Sequence, residues 1–227
     1  WKASEEMQQL IRTLGLQNEA ELQAWFTKQI DAFLTEHGRR LVGWDEILEG
    51  GLAPGAVVMS WRGEQGGIAG AQSGHDVIMA PTSHTYFDYY QGPRESEPLA
   101  IGGNLPLERV YQYEPVPAAL TAEQAQHVLG AQAQLWSEYI ADAKHLQYMA
   151  YPRACAHAEV AWTPPAIKDS RKAEMLNWLA DKSGELSRLY AVGEAAFVGG
   201  SMVQEGGHNL LEPAAQKKPV VFGPYMD

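Results

Sequence analysis

The sequence predicts an α/β fold in which parallel strands are covered by helices, followed from about Asp181 by a small β-α-β unit of the doubly wound kind. Three observations carry this. Short apolar runs at 56–61, 76–80 and 128–136 alternate with helical segments, the pattern of parallel β-structure. The runs are short and end in Trp or polar residues. Past Asp181 the texture changes: 195–200 reads as a strand closing on a glycine pair, Gly206-Gly207-His208-Asn209 opens a helix, and 219–222 is another strand.

Taken in order, Met7, Leu10, Ile11 and Leu14 recur at helical spacing, and Gly15 ends the run. A second helix is expected over 19–37, with Leu22, Trp25, Phe26, Ile30, Phe33 and Leu34 on one face and Gly38 as its stop. Residues 40–46 form a short strand running into a loop. Residues 56–61 are the second strand, 66–73 a helix of small residues, and 76–80 the third strand. A long irregular segment rich in Pro, Gly and Tyr follows, and 128–136 is the fourth strand candidate. Helices are expected over 144–161, 171–180 and 184–190. There is no internal repeat and no low-complexity tract.

Composition bounds the function. The chain has 227 residues, 45% hydrophobic and 20% charged, an ordinary globular balance. With 17 basic and 28 acidic residues the net charge is −11, which repels phosphate backbones and anionic lipid and argues against a nucleic-acid partner. Cys155 is the single cysteine, so no internal disulfide forms. No apolar run approaches the ~20 residues of a membrane span. Seven Trp and ten Tyr point instead to stacking surfaces of the kind that line sugar or apolar ligand sites. The chain starts at Trp1 and stops just past an apolar run and Gly223-Pro224, so both ends are expected to be cut edges.

The strand ends hold the main chemical signal. Trp44 precedes Asp45-Glu46, Trp61 precedes Arg62-Gly63, Tyr86 and Asp88 are two apart, and so are Trp136 and Glu138. On extended backbone, residues two apart face the same way, so each of the last two pairs is expected to face one pocket. A carboxylate beside an aromatic plane suits a sugar, because the carboxylate accepts from hydroxyls and the ring covers a C–H face. For any single pair, aromatic core beside a solvated acid is the favoured reading; four at successive strand ends favour a site.

Gly43-Trp44-Asp45-Glu46, Ser60-Trp61-Arg62-Gly63, Tyr86-Phe87-Asp88-Tyr89-Tyr90-Gln91 and Gln134-Leu135-Trp136-Ser137-Glu138 resemble, in order and at fitting intervals, the second half of a family 20 glycoside hydrolase, a β-N-acetylhexosaminidase. The likeness covers about 1–180. It implies a partial (β/α)8 barrel, its C-terminal half, with the site at the strand C-termini. It implies a substrate carrying a terminal N-acetylhexosamine and a periplasmic or extracellular setting. In that family the substrate's own 2-acetamido oxygen attacks the anomeric carbon, a Glu protonates the leaving oxygen, and the preceding Asp orients the acetamido group. Trp44, Trp61 and Trp136 resemble the tryptophans that enclose the acetamido group and sugar ring. Tyr86 resembles the tyrosine that holds the acetamido oxygen in line. Asp88 and Glu138 resemble the acids that bind O4 and O6.

One departure stands out. The family's Asp-Glu pair belongs to a His-x-Gly-Gly-Asp-Glu motif at an earlier strand end, and these 227 residues contain no such motif. Asp45-Glu46 is not that pair, because its Trp44 context matches the later motif. The arginine that grips O3 and O4 also belongs to the earlier half. The resemblance therefore implies a recognition half-site without its general acid, and open sheet edges that invite aggregation.

Residues 181–227 carry a second resemblance. Phe197-Val198-Gly199-Gly200-Ser201, Gly206-Gly207-His208-Asn209-Leu210-Leu211-Glu212-Pro213-Ala214 and Phe222-Gly223-Pro224 are similar to the C-terminal domain of 3-deoxy-D-manno-octulosonic acid transferases, which use a CMP-activated sugar at the cytoplasmic face of the inner membrane. Gly206-Gly207 would let a phosphate approach the backbone at a helix N-terminus. The resemblance implies nucleotide-sugar contacts for Gly206, Gly207, Asn209 and Glu212, with Glu212 toward the ribose. Two partial enzymes in one chain suggest a hybrid reading frame. Elsewhere, His75, His84, His127, His145 and His157 show no metal-ligand spacing, and no metal or cofactor is expected. Cys155, in a helix, reads as a buried structural thiol rather than a nucleophile.

Overall fold

The computed structural model describes residues 1–181, 196–198 and 220–222. Among them, β1 (Val42–Trp44), β2 (Val57–Ser60), β3 (Val77–Met79) and β4 (Val128–Ala131) form one sheet in that spatial order, every pair parallel. Helices α1 (Glu5–Leu14) and α2 (Glu19–Glu36) precede β1. Helix α3 (Gln65–Gln72) crosses from β2 to β3, while α4 (Thr82–Thr85), α5 (Leu107–Tyr111) and α6 (Ala122–Ala125) lie between β3 and β4. Helices α7 (Ala143–Ala150), α8 (Arg153–Trp162) and α9 (Pro165–Asp181) follow. Two further strands, β5 (Ala196–Val198) and β6 (Val220–Phe222), pair in parallel with each other, with Ala196 opposite Val220.

Local chemistry explains the boundaries. Helix α1 starts where the Ser4 side chain accepts from the Met7 N–H and ends at Gly15, whose φ of 69° lets its N–H turn back to the last carbonyls. Helix α2 starts where the Asn18 side chain accepts from the Glu21 N–H. Helix α3 is made of small residues because it lies directly on β2 and β3. A Cβ at Gly70 would come within 2.7 Å of Val77 Cγ1, and one at Gly67 would collide with Met79 Sδ. Val58, Ala71, Val77, Met79, Tyr113 and Val160 form the core beneath it. A second cluster, including Phe87, Leu105, Tyr111, Ala156 and Leu179, fills the space among α5, α8 and α9.

The parallel α/β expectation holds, with four local corrections. Residues 144–161 form two helices, not one, because Pro152 has no N–H to donate to a continuing helix. The fourth strand stops at Ala131 rather than reaching 136: its register on β3 shifts beside Gly130, which takes φ 146°, and the chain pairs again only at the isolated bridge of Gln134 with Tyr86. The long irregular segment contains α4, α5 and α6, and α9 begins at Pro165, earlier than 171. The expected helix over 184–190 lies outside the described residues. On the apolar face of α2, Leu22 is 2% exposed, but Phe26 and Phe33 are 54% and 57% exposed.

That contrast makes α2 a test of which contacts hold the fold. Leu22→Ala should cost about 2–5 kcal/mol in urea denaturation, the usual cost of a cavity at a buried leucine. Phe33→Glu should stay within about 0.5 kcal/mol of the parent, as a substitution on an open surface does. It should also lower concentration-dependent light scattering, since it breaks an exposed apolar patch.

Candidate active site

Parallel strands that end together hand their following residues to one side of the sheet. Here β1 closes on Trp44, β2 leads into Trp61, β3 leads through α4 to Tyr86, and β4 leads to Trp136. Trp44, Trp61, Tyr86, Asp88, Trp136 and Glu138 all line one cavity of about 720 Å³. The structure thus brings together every site residue expected of the segment 1–180. Gly206, Gly207, Asn209 and Glu212 lie outside the described residues.

Three indoles form one wall. The Trp44 ring sits 6.4 Å from Trp61, nearly perpendicular at 79°, and 6.1 Å from Trp136 at 40°. Trp61 is held by the acidic pair after β1. Its indole N–H donates to both Glu46 carboxylate oxygens at 3.0 and 3.1 Å, and its backbone N–H donates to Asp45 Oδ2 at 3.0 Å. Asp45 also accepts from the Arg62 backbone N–H at 3.2 Å and from Arg62 Nε at 2.5 Å. Asp45 is 1% exposed and committed to the loop after β2. Glu46 reaches the cavity wall while its oxygens hold the Trp61 indole.

Tyr86 and Asp88 reach the cavity by a different route from strand alternation. The Tyr89 N–H donates to the Tyr86 carbonyl at 3.3 Å, so 86–89 is a turn, not extended backbone. Phe87 N–H donates to the Gln134 carbonyl and Gln134 N–H to the Thr85 carbonyl, both at 2.8 Å, which ties this turn to the chain leaving β4. Asp88 is buried, and its Oδ1 has no hydrogen-bond partner among the described residues. Burial pushes its carboxyl up to about 6; its own backbone N–H opposes that, and the charge of Glu138 adds to it. Burial likewise raises the Tyr86 hydroxyl, while the neighbouring Trp136 indole pulls it down. Glu138 stands exposed at the rim.

Sequence reasoning missed Gln23, Ile47, Thr82, Tyr89 and Ile101, which also line the cavity. Tyr89 carried a signal, its place in the aromatic string 86–90. The extended reading put it on the opposite face; the turn instead brings its ring 5.7 Å from that of Tyr86. Gln23 and Ile101 had no local signal: tertiary packing alone delivers them. Among the described residues, no group of three His, Cys, Asp or Glu side chains could hold a metal ion. Burial pushes the Cys155 thiol up to about 11, so it is no nucleophile at neutral pH.

Asp88 gives the fold a pH dependence of definite sign. The unfolded chain ionises this carboxyl near its ordinary 3.8, and the folded chain only at about 6. Between those values the folded state holds the extra proton, so stability falls as pH rises through the window. Asp88→Asn should therefore be more stable than the parent at pH 7, by an amount on the order of 2 kcal/mol. The difference should vanish near pH 4, as urea melts across pH 4–8 would show.

The comparisons with known proteins agree with this geometry. The glycosyl hydrolase family 20 catalytic domain matches residues 1–165. A beta-hexosaminidase of Porphyromonas gingivalis is 56% identical over 170 residues, covering 74% of this chain and 22% of that protein. The crystal structure of the exo-β-N-acetylglucosaminidase of Vibrio harveyi in complex with N-acetylglucosamine superposes with a TM-score of 0.65 at 32% identity, over 81% of this chain and 30% of that one. A stretch of 47 residues, in keeping with 181–227, is 55% identical to the 3-deoxy-D-manno-octulosonic acid transferase of Aquifex aeolicus, over 21% of this chain and 13% of that protein. The chain spans less than a third of these two hexosaminidases, 22% and 30% of their lengths. With three indoles, a tyrosine and two carboxylates gathered at the ends of parallel strands, and the family match covering that whole segment, the chain belongs to glycosyl hydrolase family 20.

Proposed function

We propose that the cavity is the sugar-recognition half of a β-N-acetylhexosaminidase site and holds a terminal N-acetylhexosamine. The observation that carries this is the convergence of Trp44, Trp61, Trp136, Tyr86, Asp88 and Glu138 on one cavity. The indoles cover the C–H face of the ring and the acetamido methyl. The Tyr86 hydroxyl, kept protonated by burial, donates to the acetamido oxygen and holds it in line with the anomeric carbon, where positioning supplies much of the rate of an intramolecular attack. Asp88 and Glu138 accept from the sugar hydroxyls.

Hydrolysis needs a proton donor for the leaving oxygen and a carboxylate for the acetamido N–H. Asp45 is sequestered by Arg62, and Glu46 is engaged by the Trp61 indole. The family's own pair belongs to the His-x-Gly-Gly-Asp-Glu motif, which these 227 residues do not contain. The chain by itself binds the sugar and does not turn it over. In this reading residues 181–227 carry nucleotide-sugar contacts, supported by the 47-residue likeness to the transferase.

N-acetylglucosamine should quench the tryptophan fluorescence of the purified chain. Trp136→Ala should weaken binding about tenfold, the value of one aromatic contact. Binding should also weaken below about pH 6, where Asp88 takes up a proton and loses its accepting charge. A nitrophenyl N-acetylglucosaminide should not be cleaved, since general acid help alone is worth ~10²–10⁴-fold. Binding of CMP with no response to N-acetylglucosamine would instead place the function in 181–227.

A further inference from the structure

We propose that Arg153 is a positioning residue of this cavity: its guanidinium clamps the turn that presents Tyr86, Asp88 and Tyr89, and sets a fixed cation behind Asp88. The inference rests on the sugar reading of the cavity given above.

Arg153 opens α8 and is 0% exposed. Its Nη1 donates to the carbonyls of Tyr89 at 3.0 Å and Leu105 at 3.1 Å. Its Nη2 donates to the carbonyls of Phe87 at 2.5 Å and Met149 at 2.6 Å. The guanidinium also lies over the Phe87 ring, 5.1 Å from its centre. Two of the four acceptors, Phe87 and Tyr89, are the residues on either side of Asp88. The other side of the same turn is tied to Gln134 through the Phe87 N–H. The turn is thus held between the chain leaving β4 and the head of α8, and its exposed edge is the cavity wall.

The chemistry calls for arginine. A planar fork spreads its donors toward carbonyls on the turn, on the loop before α5 and at the end of α7; an ammonium on a flexible stem has no such fixed spread. Among the described residues Arg153 has no ion-pair partner; four carbonyls take its Nη1 and Nη2 donors while its buried Nε has none, so dipoles solvate the charge without cancelling it. The groups that feel this charge are Asp88, Glu97 and Tyr148, with Glu138 acting on Asp88 as well. Burial pushes the guanidinium down only to about 10, so it stays cationic at neutral pH. Its field favours the carboxylate form of Asp88. A residue that only filled the core would lower the melting temperature without moving the titration of Asp88, the local exchange at 87–89 or the affinity for N-acetylglucosamine.

Two variants of the 227-residue chain separate these roles. Arg153→Met removes charge and donors; Arg153→Lys keeps the charge and loses the fork. With the Asp88 carboxyl followed by carbon-13 NMR, the parent should titrate near 6, Arg153→Lys close to the parent, and Arg153→Met higher. Amide hydrogen exchange at 87–89 should speed up about tenfold in Arg153→Lys, as expected for the loss of one hydrogen bond's worth of local order. The affinity for N-acetylglucosamine should fall by a similar factor. Parent-like exchange at 87–89 in Arg153→Lys overturns the proposal, as does an unmoved Asp88 titration in a folded Arg153→Met. If Arg153→Met does not fold, the exchange rates of Arg153→Lys decide. Should the parent itself fail to bind N-acetylglucosamine, the sugar reading falls, while exchange and titration still decide whether Arg153 holds the turn.

Discussion

Backbone pairing of Val42 with Val57, Val58 with Val77 and Val77 with Val128 holds four strands parallel, and strands so paired must run out at a common edge. The rest of the cavity depends on that constraint. Parallel neighbours need a crossover that returns to the start of the next strand, and α3 makes one between β2 and β3 by lying on the sheet through glycines. The crossover leaves the other edge of the sheet free for loops. Residues as distant in sequence as Trp44 and Trp136 then meet at 6.1 Å, with no need for any contact specified along the chain between them.

Four acids face this edge, and the structure allots them different tasks. Asp45 is spent on the Trp61 and Arg62 N–H groups, and Glu46 on the Trp61 indole; together they fix one wall of the cavity. Asp88 is buried with an oxygen left unpartnered among the described residues, a costly arrangement for a carboxylate unless something else is meant to meet it. Glu138 stays exposed and raises that cost further. A fold selected only for stability would satisfy or remove Asp88. Its place at the cavity wall suits the binding role proposed for it, in which the unpartnered oxygen meets a ligand.

Part of the cavity lining rests on a turn rather than a strand, and turns are the softer parts of a fold. Tyr86, Asp88 and Tyr89 sit on this one, yet its backbone is engaged on both sides, by Gln134 and by Arg153. The core cluster of Phe87, Leu105, Tyr111 and Ala156 packs beneath it. Rigid support under a short polar segment is how a small number of groups can be presented to a ligand with little ordering cost.

The sequence by itself determined the class of fold, the two helices before the first strand, and six of the residues that line the cavity. Those signals are local: apolar runs, stopping glycines, and Trp or Tyr beside acids at strand ends. The family resemblance rested on the same residues. Tertiary structure alone decided the rest. Extended alternation was the wrong reason for Tyr86 and Asp88 to share a cavity, because the turn over 86–89 depends on Gln134 and Arg153, which lie far along the chain. Adjacent Asp45 and Glu46 look alike in sequence, and only their partners show one sequestered and the other at the wall. Gln23 and Ile101 reach the cavity through packing that no spacing rule encodes. Arg153 reads in sequence as one more charge on a helix; it became a buried clamp because three separate segments present their carbonyls to one point, and a meeting of that kind exists only in three dimensions.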